Sequence, residues 1–426
     1  MTTVAFHTLG CKMNFAESSA ISQKFIQKGY RLVDFTSTAN IYVIHSCMVT
    51  QQAERKCIAS IRQAQKKNPA ACVAVIGCMA ELKKERLSKE GTNLLLLGNN
   101  SKYDIVDILE NKKIFQRNTA ETFVPSWSHE GRTRIFFKVQ DGCDYFCSYC
   151  TIPLARGRSR SATVESTIKN IQDATSGKCN ELVLTGINLG DFGRKNSETL
   201  LDLLTEIEKF KNIKRIRLSS IEPDLVNDQV IEFILSHPQF MPHFHIPLQS
   251  GSDKILKLMK RNYNTGLFAA RVEKIKKLIP HACVATDIIT GFPGETETEH
   301  QETVDFINKT DISYIHVFTY SSRPDTKAEK ATQQVGEKIK KMRSRELHQI
   351  SDDKKNKFYN ENIGRECDAL FESKIYKGFV LGYTDNYIRV KAKFSEDILN
   401  SIRTIKIKSI DNEGICHVDF PESENY

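Results

Sequence analysis

The first hundred residues alternate short apolar runs with longer stretches in which apolar residues recur at helical spacing. Val4 to Leu9, Ile41 to His45, Val73 to Gly77 and Leu94 to Leu97 read as strands. Glu17 to Lys28, Gln51 to Lys67 (with Ile58 and Ile61 on one face) and Glu81 to Ser88 read as helices between them. This alternation predicts a parallel α/β sheet, whose ligands gather beyond the strand C-termini. The periodicity lapses over 111–132, a stretch with Lys112, Lys113, Pro125, Ser126, Trp127, Ser128 and Gly131 that reads as a linker. It then returns for much longer. Ile135 to Val139, Glu181 to Thr185, Ile213 to Leu218, His243 to Pro247, Cys283 to Ile289 and Tyr314 to Phe318 read as six strands with helical crossovers. They predict a full or partial parallel barrel, with chemistry at the strand C-terminal ends. Lys327 to Asn360 is long, polar and helical in pattern. From Gly364 onward, five short strands (Cys367 to Phe371, Phe379 to Tyr383, Tyr387 to Val390, Ile402 to Ile407, Ile415 to Phe420) predict a small antiparallel barrel of OB-fold size. The fold class expected is therefore α/β, with a parallel-sheet N-terminal domain, a central partial (β/α) barrel and a terminal β-barrel.

Composition narrows the picture. The 426 residues are 40% hydrophobic and 27% charged, which suits a globular chain of about three domains and excludes wholesale disorder. No run approaches the ~18 apolar residues of a spanning helix, so no membrane partner is expected. The opening MTTVAFHTLG lacks the basic and apolar regions of an export signal, which predicts a cytoplasmic protein whose thiols stay reduced. The charge balance is +9, and Lys327 to Asn360 supplies over half of it, with ten Lys/Arg against five acids. That helix reads equally as a solvated face or as a contributor to nucleic-acid binding.

Of the twelve cysteines, six carry the candidate chemistry. Cys143, Cys147 and Cys150 are spaced C-x3-C-x2-C just after a predicted strand, close enough to share one metal centre. Soft thiolates select zinc, copper(I) or iron–sulfur. A closed zinc site wants a fourth nearby ligand, and none follows. Three ligands to a [4Fe–4S] cluster leave one iron open for a substrate. A second triad is dispersed: Cys11, Cys47 and Cys78 each follow a predicted strand of the first sheet, so their sulfurs can converge on one rim. Cys57, Cys72, Cys179, Cys283, Cys367 and Cys416 lack such a pattern and read as packing residues.

The triad at Cys143 to Cys150 resembles the hallmark of the radical S-adenosylmethionine (SAM) superfamily. Thr151 to Ser161, Leu184 to Gly190, Leu218 to Pro223, His245 to Gly251 and Asp287 to Thr296 are similar to its methylthiotransferase family. The resemblance covers nearly the whole chain. It implies an N-terminal methylthiotransferase domain (1–113) with an auxiliary cluster, a linker (114–132), a radical SAM domain (133–360) and a TRAM RNA-binding domain (361–426). It also implies two [4Fe–4S] clusters, held by Cys143, Cys147, Cys150 and by Cys11, Cys47, Cys78, with SAM as cofactor. SAM contacts are expected from Gly186, Asn188, Ser220, Glu222, Gln249, Asp287, Gly291 and Arg156. Arg158 and Arg160 extend Arg156 into a basic strip, and Tyr383, Tyr387, Arg389, Lys391 and Lys393 suit stacking on unpaired bases. The implied partners are tRNA, at its anticodon stem-loop, and an electron donor such as a flavodoxin or ferredoxin; no sulfur donor is implied by any motif.

Three branches of the family differ in substrate: threonylcarbamoyl-adenosine in tRNA, isopentenyl-adenosine in tRNA, and an aspartate of a ribosomal protein. Gly10-Cys11-Lys12-Met13-Asn14 is most similar to the threonylcarbamoyl branch, with Lys12 the discriminating residue. The chain departs from the family pattern at His45-Ser46, where Asn-Thr is usual, and at Thr319 and Asp325, where Pro and Gly are usual. The competing readings are an iron–sulfur electron-transfer or sensor protein, which needs no RNA-binding barrel, and a non-catalytic RNA-binding module.

Overall fold

Strands buried on both faces build the N-terminal sheet. A computed structural model describes residues 1–48, 50–110, 122–128, 133–177 and 179–421. The five parallel strands run in the order Arg31–Val33, Thr3–Thr8, Ile41–Ser46, Cys72–Gly77, Leu94–Leu97. Ile41, Val43, Ala74 and Ile76 pack with Ile21 and Phe25 on one face; Tyr42, Ile44, Val73 and Val75 pack with Cys57 and Ile61 on the other. Two covered faces account for the continuous apolar runs. Helix Gln51–Lys67 starts where the Thr50 hydroxyl accepts the Ala53 N–H at 3.1 Å, and ends with Lys66 and Lys67 against its dipole. Helix Lys12–Gln27 begins a turn earlier than its periodicity predicts. The buried polar residues Asn14, Glu17 and Ser18 interrupt the apolar repeat. The stretch expected as one helix over Glu81 to Ser88 is two single turns, Cys78–Leu82 and Lys84–Ser88, broken at Lys83, whose ammonium is held by Glu54 at 2.7 Å.

Six parallel strands follow the chain around an open barrel: Arg134–Lys138, Glu181–Thr185, Arg215–Leu218, His243–His245, Cys283–Thr290 and Tyr314–Thr319. A bridge from Ile216 to Phe240 joins its two sheets. Leu182, Leu184, Ile216, Phe244, Val284, Ile288 and Ile315 belong to the core beneath the covering helices. The positions between several of them are polar, among them His243, His245, Asp287 and His316, so strand alternation sorts an apolar wall from a polar one. Side-chain capping starts the outer helices: Thr199 with Asp202, and Thr296 with Glu299, form capping boxes.

Part of the expected linker is a strand. Ser126–Trp127 pairs antiparallel with Lys138 and Phe137, and Trp127 stacks on Phe137 at 5.7 Å. Two residues are too few to show a period. Lys112, Lys113 and Gly131 lie outside the described residues. The long polar helix spans Glu337–Asn360 and starts at Gly336 rather than at Lys327. It is bolted to the barrel: Leu347 is buried, and the Ser351 hydroxyl exchanges hydrogen bonds with both backbone groups of Ile315. Arg343 is spent on Glu295 (2.8 Å) and Glu297 (3.1 Å), so part of the helix's basic charge is internal. No helix among the described residues is long and apolar enough to cross a membrane.

The terminal strands Glu366–Tyr376, Phe379–Thr384, Arg389–Lys393, Ile402–Ile410 and Cys416–Asp419 close into a barrel. The barrel is antiparallel as expected except at one seam, where Val390 pairs parallel with Cys416. Five strands around a closed ring cannot all alternate in direction. This barrel docks on the central domain through Glu181, which is 1% exposed and collects Arg215, Arg217 and Arg134. Arg215 and Arg217 pass on to the backbone carbonyls of Tyr383, Thr384 and Asp385. Burial alone would raise Glu181, yet the three guanidinium groups hold it down from 4.5 to about 2. Its stabilising contribution is therefore full above pH 4.5 and is lost as pH falls toward 2; the displacement corresponds to about 3 kcal/mol. Glu181→Gln is expected to remove a comparable amount and to expose the turn over Tyr383–Asp385 to protease, measured by thermal unfolding and limited digestion. An unchanged melting temperature and digestion pattern would contradict this role.

Candidate active site

Gln140–Asp141 pairs antiparallel with Arg160–Ser161 and pinches off the loop that carries Cys143, Cys147 and Cys150. Gly142 enters that loop at φ +72°, where a Cβ would lie 2.0 Å from the Arg158 carbonyl oxygen, so no larger residue fits. Each of the three sulfurs meets an N–H donor: Tyr145 N to Cys143 at 3.5 Å, the Arg261 guanidinium to Cys147 at 2.9 Å, and Ile152 N to Cys150 at 3.4 Å. Burial, reinforced by the neighbouring Cys147, pushes Cys143 and Cys150 up to about 12. Three thiolates in this place need cationic metal charge to exist together.

Cys11 caps helix Lys12–Gln27, Cys47 follows strand Ile41–Ser46, and Cys78 opens helix Cys78–Leu82. The strands they follow are adjacent in the sheet, which brings the three to one rim. A Cβ on Gly10 would lie 2.9 Å from the Cys47 Cβ and 3.1 Å from its sulfur, and Gly10 sits at φ +100°. Asn99 donates to Cys78 at 3.6 Å and to the Ala155 carbonyl at 2.8 Å, tying this rim to the segment after Cys150. A single zinc with Zn–S near 2.3 Å would draw its sulfurs to about 3.8 Å from one another. Among the described residues, the group with ligand atoms all within 4.8 Å is His245, Asp287 and His316; neither cysteine triad is drawn that tight. The donor sets fit a larger iron–sulfur core better than one ion.

The remaining six cysteines do not converge on a site. Cys57, Cys283, Cys367 and Cys416 are buried, and burial pushes each thiol up to about 12, as inert packing residues require.

A cavity of about 640 Å³ lies between Cys11 and the barrel strand ends, lined also by Lys12, Gly186, Ser220, His243, His245, Asp287, His316 and Tyr387. Ser220 bonds the Nδ1 of His245 at 2.5 Å, and His245 Nε2 bonds Asp287 at 2.9 Å. Gly186 packs on Gln140, where a Cβ would stand 2.9 Å from the side-chain oxygen. That same oxygen accepts the backbone N–H groups of Ile187 and Asn188, each at 2.9 Å. Asn188 is buried, its side-chain amide donating to Asp191 while its Oδ1 has no partner. Gln249, at φ +67°, lines a smaller cavity of about 200 Å³ with Asp287 and Tyr149. Glu222 is engaged by Arg261, which also reaches Cys147.

Two of the residues expected at the cofactor face other partners in the structure. Arg156 is 3% exposed and spent on Glu17 (3.1 Å) and Asp141 (3.0 Å), so it is no free partner for a carboxylate or phosphate. Arg160 is tied to Asp141 as well; of the strip, Arg158 is the exposed member. Gly291 turns at φ +75° against Lys340 of the long helix and does not line either cavity. In the terminal barrel, Tyr383 stacks on Tyr387 at 4.5 Å with Arg134 over its ring, and Lys391 is paired with Asp411. Tyr387 holds φ +70°, an expensive conformation for an aromatic residue, stacked on His243 at 4.4 Å at the cavity wall.

The residues to which sequence reasoning gave no role are Gln140, Arg261, His243, His316 and His245, the last of which opens one of the quoted motifs. The period-two spacing of His243 and His245 inside one predicted strand was the available signal for that pair. Arg261 and Gln140 lie far from the motifs they serve and gave none.

Residues 3–98 match the model of Uncharacterized protein family UPF0004, and residues 137–307 that of the Radical SAM superfamily. The chain is 38% identical over 413 residues to Threonylcarbamoyladenosine tRNA methylthiotransferase MtaB of Aquifex aeolicus (strain VF5), covering 94% of this chain and 99% of that one. It is 37% identical over 425 residues to the protein of the same name in Bacillus subtilis (strain 168), covering 96% and 94%. Among solved structures, the radical S-adenosylmethionine methyltransferase TsrM from Kitasatospora setae, with cobalamin and a [4Fe-4S] cluster bound, superposes with a TM-score of 0.56 at 12% identity, over 77% of this chain and 74% of that one. At that identity the likeness is one of fold.

Proposed function

The chain belongs to the radical SAM methylthiotransferase family, and from that premise we propose that it attaches a methylthio group to C2 of N6-threonylcarbamoyladenosine beside the tRNA anticodon. The observation that carries the reading is the cavity of about 640 Å³ with Cys11 on one wall and the barrel strand ends on the other. A base placed there lies beside Cys11 and against the strands of the central barrel. Residues 1–113, 133–360 and 361–426 act in this reading as auxiliary-cluster, radical SAM and RNA-binding units.

When bound, the two clusters and SAM supply the electron, the radical and the sulfur-bearing centre of the reaction. The protein's share is ligation, orientation and exclusion of water. Cys143, Cys147 and Cys150 ligate one cluster and Cys11, Cys47 and Cys78 the other. Arg261, paired with Glu222, places positive charge against Cys147. Gln140 shapes the Gly186–Asn188 backbone by accepting two N–H groups, which leaves the chain close to the cavity without a side chain in the way. Ser220 and Asp287 fix the ring of His245 from both nitrogens. Tyr387 closes the cavity from the terminal barrel. A small acidic electron carrier of the flavodoxin or ferredoxin class and the cytosol complete the setting.

The test is mass spectrometry of tRNA nucleosides from cells with and without the gene. Loss of the 2-methylthio derivative of threonylcarbamoyladenosine on deletion is expected. Loss of the isopentenyl analogue would move the enzyme to the other tRNA branch, and unchanged nucleosides would overturn a tRNA substrate.

A further inference from the structure

Lys12 is a cation built into the cavity wall without an acid. It is the first residue of helix Lys12–Gln27, next to Cys11, and lines the cavity of about 640 Å³. Among the described residues no carboxylate oxygen lies within 4.0 Å of its ammonium. The other cations near it are committed elsewhere: Arg134 and Arg217 both answer to Glu181. The one carboxylate lining the cavity, Asp287, is taken by His245. A second wall residue is also unfinished, for His243 is 6% exposed and its Nδ1 has no partner. A half-buried ammonium without a counter-ion is costly unless the ligand brings one.

We propose that Lys12 forms a carboxylate subsite that reads the threonyl carboxylate of the substrate nucleoside, with His243 as the neighbouring polar contact. The inference rests on the substrate reading above and deepens it. In adenine, C2 and C6 both flank ring nitrogen N1. A base that turns C2 toward the triad of Cys11, Cys47 and Cys78 therefore brings its N6 substituent beside the residues adjoining Cys11. The aromatic walls Phe15, Phe136, Phe318 and Tyr387 suit the ring, and Lys12 supplies the charge its substituent needs. An isopentenyl group has no anion to offer and would leave Lys12 buried against hydrocarbon.

The test uses the reconstituted holoenzyme and three anticodon stem-loop RNAs, bearing threonylcarbamoyladenosine, isopentenyladenosine or plain adenosine at one position. Affinities are read by fluorescence anisotropy. The wild type is expected to prefer the threonylcarbamoyl RNA by about tenfold or more over plain RNA, Lys12→Gln to bring that ratio close to one, and Lys12→Arg to keep most of it. Three results overturn the subsite: a ratio that survives Lys12→Gln, an equal loss for all three RNAs (a phosphate contact), or a raised KM for SAM in RNA-free cleavage (the SAM carboxylate). If the wild type itself shows no preference, the substrate reading fails and this inference falls with it; if the wild type prefers and Lys12→Gln does too, the subsite alone falls.

Discussion

Cys143→Ala is expected to leave a folded protein that no longer cleaves SAM. Cys143 is one of the three proposed ligands in a pinched loop whose sulfurs each meet a donor, and none of the three has a substitute nearby in the sequence. Losing one ligand empties the site, so SAM cleavage should fall by roughly three orders of magnitude or more, which is about 4 kcal/mol of barrier. Iron should fall from about eight to about four per chain, because the second cluster proposed at Cys11, Cys47 and Cys78 draws on none of this loop's sulfurs. Binding of tRNA should persist, since the terminal barrel docks through Glu181, far from Cys143 in the chain. SAM cleavage by the wild type would reject the electron-transfer reading, and its retention in Cys143→Ala would overturn the assignment of this triad.

Glu17→Ala is expected to be the most destabilising single change at the junction of the two cysteine-bearing units. Glu17 is fully buried and is reached by Lys102 at 2.7 Å, Lys138 at 3.0 Å and Arg156 at 3.1 Å, with the Tyr103 hydroxyl at 3.1 Å. Asp141 is the other acid in this group, and takes Arg156 and Arg160. Burial alone would raise Glu17, but Arg156, Lys102 and Lys138 hold it well below the usual carboxylate range. Removing it leaves Lys102 without an acid and Arg156 and Lys138 with Asp141 alone, a loss of about 3–5 kcal/mol. Thermal unfolding of the intact protein measures the loss, and Glu17→Ala combined with Arg156→Met should cost less than the sum of the two single changes. The pH dependence has a definite sign. A carboxylate depressed in the folded state gives stability that is complete above 4.5 and disappears as pH falls through its folded value. Glu17→Gln should flatten the acid limb of the melting curve; an unchanged limb would contradict the arrangement.

The excess of cations in this group also bears on the chemistry. Four of them face two acids, and Arg156 lies close enough to Cys78 to feel its charge. His45, which stands where the family usually has Asn, is buried here with its Nδ1 bonded to Ser18 at 2.9 Å. Burial, with Lys102 adding to it, keeps its ring neutral. The residue that departs from the family pattern thus adds no further charge to a place already rich in it.

The order of strands and helices was written in the residue pattern, and so were both cysteine triads. Gln51–Lys67, Glu181–Thr185 and Leu94–Leu97 all stand at their expected bounds. Local pattern suffices there because the helix shows a one-faced period and the two strands show apolar runs of strand length. Cys11, Cys47 and Cys78 were legible for a related reason: equivalent places after adjacent parallel strands are neighbours in space whatever their distance in the chain. What spacing could not carry was the assignment of charge. Arg156 sits two residues from Arg158 in the sequence, yet one is sealed against Glu17 and the other is exposed beside Asp144. Arg261 meets Cys147 across more than a hundred residues. Lys12 is marked by the motif around Cys11, but its lack of a partner exists only once Tyr387 of the terminal barrel and His243 of the central one close the cavity around it. The sequence alone therefore determined the elements, the grouping of the cysteines after adjacent strands and the class of chemistry, because each depends on neighbours in the chain or on topology. The tertiary structure alone decided which charges are spent and which are left for a ligand, because ion pairing is a property of distance in space and of burial, and neither has a period along the chain.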